Sequence, residues 1–391
     1  MEPSATTDRG LSGHESVKQE AQQSSSLGER TVEIIHCEKE DYELMLDITR
    51  KMAEEILRQT GLEIAFAQGE AVRKDFSLGR GNFGVFRVGY AKKGGHYVGI
   101  KVTQGDEAAE AEIKIQASLS GFAHIMPSVD YCKVVKEGQK NTLYQIMPLA
   151  GLGSVAKIGI AIGELEDEVF KEQIVFCLAE AVLTGLSAMH NKGFYHLDNK
   201  PDNIVVNQNG EIFLIDFGCS VQSSNGFIDG ENQIGDNNFF SPERFVAFNT
   251  NEADINRQLQ ADKIDIWAVG LTLVSVLTKE RFPQPISLCQ QLLQQTASMS
   301  GTARIKSFSC ALEMELQKKF SSLKNPQQGS IWSFIKALLN IDPEKRPNQM
   351  KHWPYLGLKK RRKVRCSGRK RHWIVLVKWC RHCKEKTALK L

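Results

Sequence analysis

The chain has 391 residues, long enough for one large domain with extensions, and 41% of them are hydrophobic, which allows a sizeable core. No apolar run reaches 18 residues and the first ten residues are polar, so the sequence predicts neither a transmembrane helix nor a secretory signal of the usual kind. The nine cysteines are scattered and mostly single, which favours a reducing compartment over a disulfide-stapled fold.

The formal net charge of +4 conceals an uneven distribution along the chain. Residues 359–391 contain 14 Lys and Arg and one acidic residue, whereas the rest of the chain contains 36 basic and 45 acidic residues. The body is therefore acidic and the tail strongly basic. An anionic membrane, a nucleic acid or a nuclear-import receptor would suit the tail, and a plain solvated tail is the alternative. Cys380, His382 and Cys383 suggest a zinc site, but a lone CxxC is weak evidence.

In chain order, the first 30 residues are rich in Ser, Gln, Glu and Thr, so we expect them to be disordered. We expect residues 31–74 to form a largely helical N-terminal extension. Within it, residues 39–60 place apolar side chains at helical spacing, with Asp41 as a candidate N-cap and Gly61 just beyond the end.

A glycine-rich segment follows, in which residues 79–84 form a GxGxxG pattern directly after Leu78. This pattern alone is weak, because dinucleotide-binding folds share it. Residues 75–102 alternate apolar and polar side chains, however, with two glycines at 94 and 95 as a turn and Lys101 near the end. The sequence therefore predicts a hairpin over a phosphate. A dinucleotide-binding unit would instead need a helix directly after the glycines.

The most informative segment runs from His196 to Asn203 and reads HLDNKPDN, with DFG following at residues 216–218. Its residue types suit transfer of a phosphoryl group to a hydroxyl, which needs a carboxylate to orient the hydroxyl, ligands for magnesium and nearby positive charge. Apolar stretches at 204–206 and 212–215 predict buried strands on either side. A charged surface loop, the alternative, fits this pattern poorly.

Together these motifs resemble a eukaryotic-type (Hanks-type) protein kinase domain of the serine/threonine class. They occur in the family's order and are followed by SPE at residues 241–243, DIWAVG at 265–270 and DPEKRP at 342–347. The resemblance covers roughly residues 75–358. It implies an α+β, two-lobed fold with a small strand-rich N-lobe over residues 75–147, a larger helical C-lobe over residues 152–358, and a basic tail at 359–391.

The resemblance implies roles for the polar residues of the catalytic loop. Asp198 would be the catalytic base, and Lys200 would neutralise the γ-phosphate of ATP. Asn203 and Asp216 would ligate Mg²⁺, for which Mn²⁺ is the alternative. Lysine at position 200 is typical of serine/threonine kinases, so the expected product is a phosphorylated serine or threonine of a protein substrate.

Lys101 would hold the α- and β-phosphates of ATP and would be oriented by a glutamate on the next helix. Glu112 fits best, because it leads into an apolar helical face, and Glu110 is the alternative. Glu112 lies eleven positions after Lys101, fewer than is usual in the family, so the connecting loop must be short.

The resemblance also implies a nucleotide pocket closed at the back by Met147, with a hinge at residues 148–150. Phe86 stands where the family usually has valine above the adenine, and Gly99 replaces the usual alanine. The two changes would compensate in volume. The residues expected to bind the nucleotide are Leu78, Gly79, Gly81, Gly84, Phe86, Gly99, Lys101, Met147 and Leu149.

Two further departures affect regulation and substrate binding. Leu197 replaces the arginine that usually pairs with an activation-loop phosphate, so activity is expected not to require that phosphate. Asp236 replaces a threonine that usually contacts the catalytic Asp and Lys, and we expect its carboxylate to repel Asp198. A pseudokinase scaffold and a small-molecule phosphotransferase are the alternative functions. A cytoplasmic location is expected, with the nucleus, a membrane surface, or secretion from an intracellular bacterium as alternatives.

Overall fold

The computed structural model describes residues 32–81, 84–135, 140–230, 235–249, 258–278 and 331–347, together with single helical positions between 295 and 314. It has the two-lobed α+β fold that the sequence predicts, with a strand-rich N-lobe and a helical C-lobe. The expected disorder at residues 1–30, and the basic tail with its cysteines, lie outside the described residues.

The N-lobe begins with the extension and ends at the hinge. Its strands are β1 (Val32–His36), β2 (Asp41–Met45), β3 (Ile48–Thr49), β4 (Val72–Arg73), β5 (Gly79–Gly81), β6 (Gly84–Ala91), β7 (His96–Gln104), β8 (Asp130–Val134) and β9 (Thr142–Pro148). Its helices are α1 (Arg50–Thr60), between β3 and β4, and α2 (Glu107–Ser118), between β7 and β8.

The C-lobe carries short strands around the predicted catalytic loop and long helices beneath it. The strands are β10 (Gly153–Ser154), β11 (Phe194–Tyr195), β12 (Ile204–Val206), β13 (Ile212–Leu214), β14 (Val221–Gln222), β15 (Phe227–Asp229) and β16 (Gln258–Gln260). The described helices are α3 (Val155–Gly163), α4 (Glu168–His190), α5 (Pro242–Asn249), α6 (Ala261–Thr278) and α7 (Ile331–Leu338).

The main N-lobe sheet is antiparallel, in the order β1-β2-β6-β7-β9-β8, with β5 paired to β6. β6 and β7 form a hairpin in which Phe86 lies opposite Lys101, and Gly95 makes the turn at a φ of 67°. Only glycine adopts this conformation without strain. Because β6 begins at Gly84, a strand rather than a helix follows the glycine-rich segment, as the alternation predicts.

The predicted helix over residues 39–60 is wrong in its first half, and so is the largely helical extension. Asp41 begins strand β2, and its carboxylate lies 2.8 Å from the His36 ring. Tyr42 and Leu44 are buried in an apolar cluster, with a period of two, because β2 pairs with β6. Tertiary pairing has thus overridden a helical apolar pattern.

Helix α1 occupies the second half of the predicted segment. The Thr49 hydroxyl caps it by accepting a hydrogen bond from Met52 N at 3.3 Å. Gly61 ends it in the left-handed conformation at a φ of 76°, as predicted. The extension therefore adds four strands and one helix to the N-lobe: β1 and β2 join the main sheet, and β3 and β4 pair with each other.

The C-lobe core lies between α4, α6 and α7. α6 is buried along most of its length, with Trp267 fully enclosed, and α7 contributes Phe334 and Ile335. Among the described residues, α4 is long and apolar enough to span a bilayer, but 56% of its most apolar window is buried inside the fold. That burial is what a helix in a domain core requires.

Candidate active site

Lys101 lies at the centre of a buried charge cluster between the lobes. Its Nζ lies 2.6 Å from Glu112 Oε1 on α2 and 3.2 Å from Asp216 Oδ1. Burial alone would lower the pKa of Lys101, but the charges of Asp216 and Glu112 outweigh it and raise the pKa. The lysine is therefore held in its charged form.

The structure brings Lys101 together with Glu112 rather than with Glu110. Asp106 caps the start of α2 after a short loop, and this turns Glu112 inward, where it is 5% exposed. The Glu110 carboxylate lies outside the cluster and pairs with Lys133 at 3.0 Å.

Replacing Glu112 with Gln should therefore lower phosphate transfer about 100-fold, because a small displacement of a positioning group can cost that much. Glu110→Gln, the matched control two residues away, should remain close to the wild type. Steady-state rates with a generic protein substrate measure both. The reverse ranking would show that Glu110 is the partner of Lys101.

A fully buried carboxylate, Asp265 on α6, anchors the catalytic loop. It accepts hydrogen bonds from His196 N at 2.9 Å, Leu197 N at 2.8 Å and Asn199 Nδ2 at 3.0 Å. His190 Nε2 lies 2.8 Å from the same carboxylate. Burial would raise the pKa of Asp265, but the hydrogen bond and charge of His190 and the His196 amide hold it below its ordinary value. The loop is therefore fixed from the C-lobe core.

Asp198 is buried within this loop and its carboxylate has three donors. Oδ2 accepts from Asn203 Nδ2 at 2.8 Å and lies 2.9 Å from Lys200 Nζ, and Oδ1 accepts from Asp236 N at 2.9 Å. Burial opposes charge on Lys200, but its hydrogen bond to Asp198 and the Asp198 charge raise the pKa of Lys200. The Asp198 carboxylate is thus held in one orientation.

Asp236 contacts Asp198 through its backbone and not, as the expected repulsion would require, through its carboxylate. Asp236 turns its backbone N–H toward Asp198, while its carboxylate accepts from Asn238 N at 3.0 Å and lies 3.9 Å from Lys200 Nζ. Gly235 makes this approach feasible, since a Cβ there would lie 2.6 Å from the Leu197 carbonyl oxygen. A backbone donor therefore faces Asp198 in place of a threonine hydroxyl.

Asn203 and Asp216 offer oxygen atoms suited to a hard divalent cation. Both amide N–H bonds of Asn203 point to Asp198, one to the carbonyl and one to the carboxylate, which leaves the amide oxygen as the ligand atom. Asp216 has a φ of 64°, a strained conformation for a residue other than glycine, next to Lys101. This donor set fits magnesium.

The residues predicted to bind the nucleotide lie around the cleft above these groups. A Cβ on Gly99 would lie 2.3 Å from Phe86 Cζ, so the phenyl ring fills the space of the missing side chain. Phe86 also packs against an apolar cluster of Met126, Met147 and Val205. The expected volume compensation between Phe86 and Gly99 is therefore present.

The glycines of the loop differ in their surroundings. Gly79 and Gly81 are exposed, and a Cβ on either would meet nothing within 4 Å. Gly84 has a φ of 133°, and a Cβ there would lie 2.4 Å from the Val102 carbonyl oxygen. Leu78 donates its N–H to Phe86 O at 2.7 Å, and Leu149 is buried against the extension.

Comparison with known proteins agrees with this arrangement. The protein kinase domain model matches residues 72–356, most of the chain. The chain belongs to the protein kinase family. It is 28% identical over 235 residues to the MAP kinase kinase MKK1/SSP32 of Saccharomyces cerevisiae, covering 58% of this chain and 41% of the relative.

Other relatives are kinases as well. A mitogen-activated protein kinase kinase, mkk1, of Cytospora mali is 30% identical over 205 residues, or 50% of this chain and 34% of the relative. Citron rho-interacting kinase of Rattus norvegicus is 29% identical over 138 residues, or 35% of this chain and 6% of the relative. The chain thus spans less than half the length of these curated relatives.

Arg244 is a buried cation beside the catalytic loop that the motifs did not single out. Arg244, the residue after SPE, is 1% exposed and donates from Nη1 to the Leu197 carbonyl at 3.1 Å. Its guanidinium lies 4.0 Å from the centre of the Phe240 ring, and burial lowers its pKa to about 10. The apolar residues on both sides of SPER, at 239–240 and 245–248, are the sequence signal that this arginine is buried.

Proposed function

We propose that this kinase-family chain is an ATP-dependent serine/threonine protein kinase that is active without activation-loop phosphorylation. The observation that carries the proposal is the assembled cluster of Lys101, Glu112 and Asp216, with Asp198 oriented nearby. A pseudokinase would have no need of all four groups at these distances. The alternative of a scaffold is therefore less well supported.

Each group has a role in the proposed reaction. Lys101, held by Glu112, binds the α- and β-phosphates, and Lys200 neutralises charge on the transferred phosphate. Asp198 accepts a hydrogen bond from the substrate hydroxyl and receives its proton as the oxygen attacks the γ-phosphorus. The bond from the γ-phosphorus to the β–γ bridging oxygen breaks at the same time, and ADP leaves with that oxygen. Asn203 and Asp216 would hold magnesium, which would offset the negative charge of the phosphates.

Lys200 and the relatives support a serine or threonine acceptor. Incubating the full chain with radiolabelled ATP, Mg²⁺ and generic protein substrates, followed by phospho-residue analysis, tests this directly. We expect phosphoserine and phosphothreonine. No transfer under these conditions would refute the kinase proposal, and phosphotyrosine as the main product would refute the acceptor class.

Independence from loop phosphorylation is supported by two residues. Leu197 is buried in the C-lobe core and offers no guanidinium to a phosphate. Arg244 in α5 follows SPE directly, where the activation segment (residues 216–243) ends, and it donates a hydrogen bond to the Leu197 carbonyl. This bond ties the end of that segment to the catalytic loop. In other kinases a phosphate orders the activation loop by pairing with arginine, and here the Arg244 hydrogen bond would hold the segment without a phosphate.

Replacing both Ser223 and Ser224 with Ala should therefore leave phosphate transfer near the wild-type rate. Ser223 Oγ lies 2.8 Å from both Asn225 Oδ1 and Phe227 O, so its loss could loosen the turn. Ser224→Ala alone, at an exposed position, controls for that effect. A large loss that acidic replacements restore would contradict the proposal.

A further inference from the structure

The end of helix α1 and the segment that follows it cross the hinge and contact both lobes. We call residues 59–66 the hinge strap. Met52, Ala53 and Ile56 of α1 are buried in the same apolar cluster as Val88 of the N-lobe sheet and Leu149 of the hinge. The helix that leads into the strap is therefore anchored on the sheet beside the hinge.

Gln59 accepts hydrogen bonds from both lobes. Its side-chain Oε1 accepts from Tyr97 N of β7 at 3.3 Å, in the N-lobe. Its carbonyl oxygen accepts from Gln208 Nε2 at 2.7 Å, in the turn between β12 and β13 of the C-lobe. The Gln59 amide group is itself held, because Nε2 donates to Glu55 Oε1 at 2.7 Å.

The strap backbone lies directly on the hinge at Gly151. A Cβ at Gly151 would lie 1.9 Å from the Thr60 carbonyl oxygen and 2.7 Å from Leu62 N. Gly151 does not have a positive φ, so close approach rather than conformation requires glycine here. No side chain fits between the two backbones at this point.

Beyond Gly151, the strap reaches Leu78 and Phe86, which we call the ceiling of the predicted nucleotide pocket. Leu62, Ile64 and Phe66 pack against the same cluster as Leu78 and Phe86. A displacement of the strap would therefore act on both the hinge and the ceiling.

We propose that the hinge strap is an interlobe brace that positions the hinge and the ceiling of the nucleotide pocket, with Gln59 as a positioning residue. The proposal rests on the proposed function only in taking this pocket as the ATP site. The Lys101, Glu112 and Asp216 cluster is assembled with the strap in place, which favours a brace over an inhibitory element. The catalytic loop is held separately by Asp265, so the strap acts on nucleotide binding rather than on transfer.

Gln208→Ala removes the hydrogen bond that the C-lobe donates to the Gln59 carbonyl, and position 208 is not among the nucleotide-binding residues. We expect binding of a non-hydrolysable ATP analogue to weaken roughly 3- to 10-fold, which is what loss of one hydrogen bond costs. KM for ATP should rise to match, with kcat at saturating ATP nearly unchanged. Gln208→Lys retains a donor and should restore affinity. Asn209→Ala, which removes an exposed amide from the same turn, is the matched control.

Gly151→Ala forces a methyl group against the strap and should weaken nucleotide binding further, with faster hydrogen exchange at residues 59–66. Gly159→Ala, where the nearest atom would lie 3.4 Å from the new methyl, controls for adding that group to the same lobe. Adding Gln208→Ala to Gly151→Ala should have little extra effect, because both break one set of contacts.

Unchanged affinity in both variants, tighter binding, or a loss confined to kcat would overturn the brace. A wild-type chain that binds the analogue but transfers no phosphate would overturn the proposed function instead, and the binding and exchange results would still decide the brace.

Discussion

Replacing Asp198 with Ala should lower kcat by about 10²- to 10⁴-fold, because the change removes both the base and the group that orients the hydroxyl. The carboxylate also accepts from Asn203, Lys200 and Asp236, so thermal unfolding must show that the variant is folded. Steady-state kinetics with radiolabelled ATP measures the effect.

Asp202→Ala is the matched control for Asp198, since it removes an exposed carboxylate from the same loop. Its rate should be close to that of the wild type. Equal rates for the wild type and Asp198→Ala would show that another group is the base. That result would also remove the main argument for this loop as the catalytic centre.

Arg346→Met should destabilise the fold by about 3–5 kcal/mol, the usual cost of leaving a buried charge without its partner. The Arg346 side chain is fully buried, and its Nη1 and Nη2 atoms lie 2.6 Å and 2.8 Å from the two Glu243 oxygens. Burial would raise the pKa of Glu243, but Arg346 lowers it, so the pair is ionised at neutral pH. Urea unfolding of the purified domain measures the loss.

The neighbouring Lys345 gives the matched control for Arg346. Its ammonium lies 3.2 Å from Asp342, but the side chain is 71% exposed, so Lys345→Met should cost at most about 1 kcal/mol. Arg346→Lys should resemble Arg346→Met, because one ammonium cannot replace two parallel hydrogen bonds. Equal stability of the Met variants at 345 and 346 would show that the buried pair contributes little.

Motifs located the residues that the fold brings together because their spacing along the chain is fixed by local structure. Asp198 and Asn203 lie in one turn, and Asp216 follows one hairpin later, so short-range rules suffice. Glu112 could be chosen over Glu110 because helical spacing distinguishes inward from outward positions.

Long-range contacts left no comparable signal in the sequence. Gln59 and Gln208 are separated by 149 positions, and nothing local marks either as an interlobe contact. Strand β2 shows the same limit, because its apolar residues fit a helix until β6 provides a pairing edge. Arg244 is informative only once Leu197 is known to lie beside it.

The Phe86 ring over Gly99 bears on how inhibitors would distinguish this kinase from others. Compounds shaped for a valine and an alanine at these places would meet a phenyl ring that already packs toward Met147 and Val205. Flat, compact heterocycles that stack on that ring should therefore be better starting scaffolds than bulky ones. A Phe86→Val enzyme would serve as the counter-screen that identifies compounds exploiting this difference.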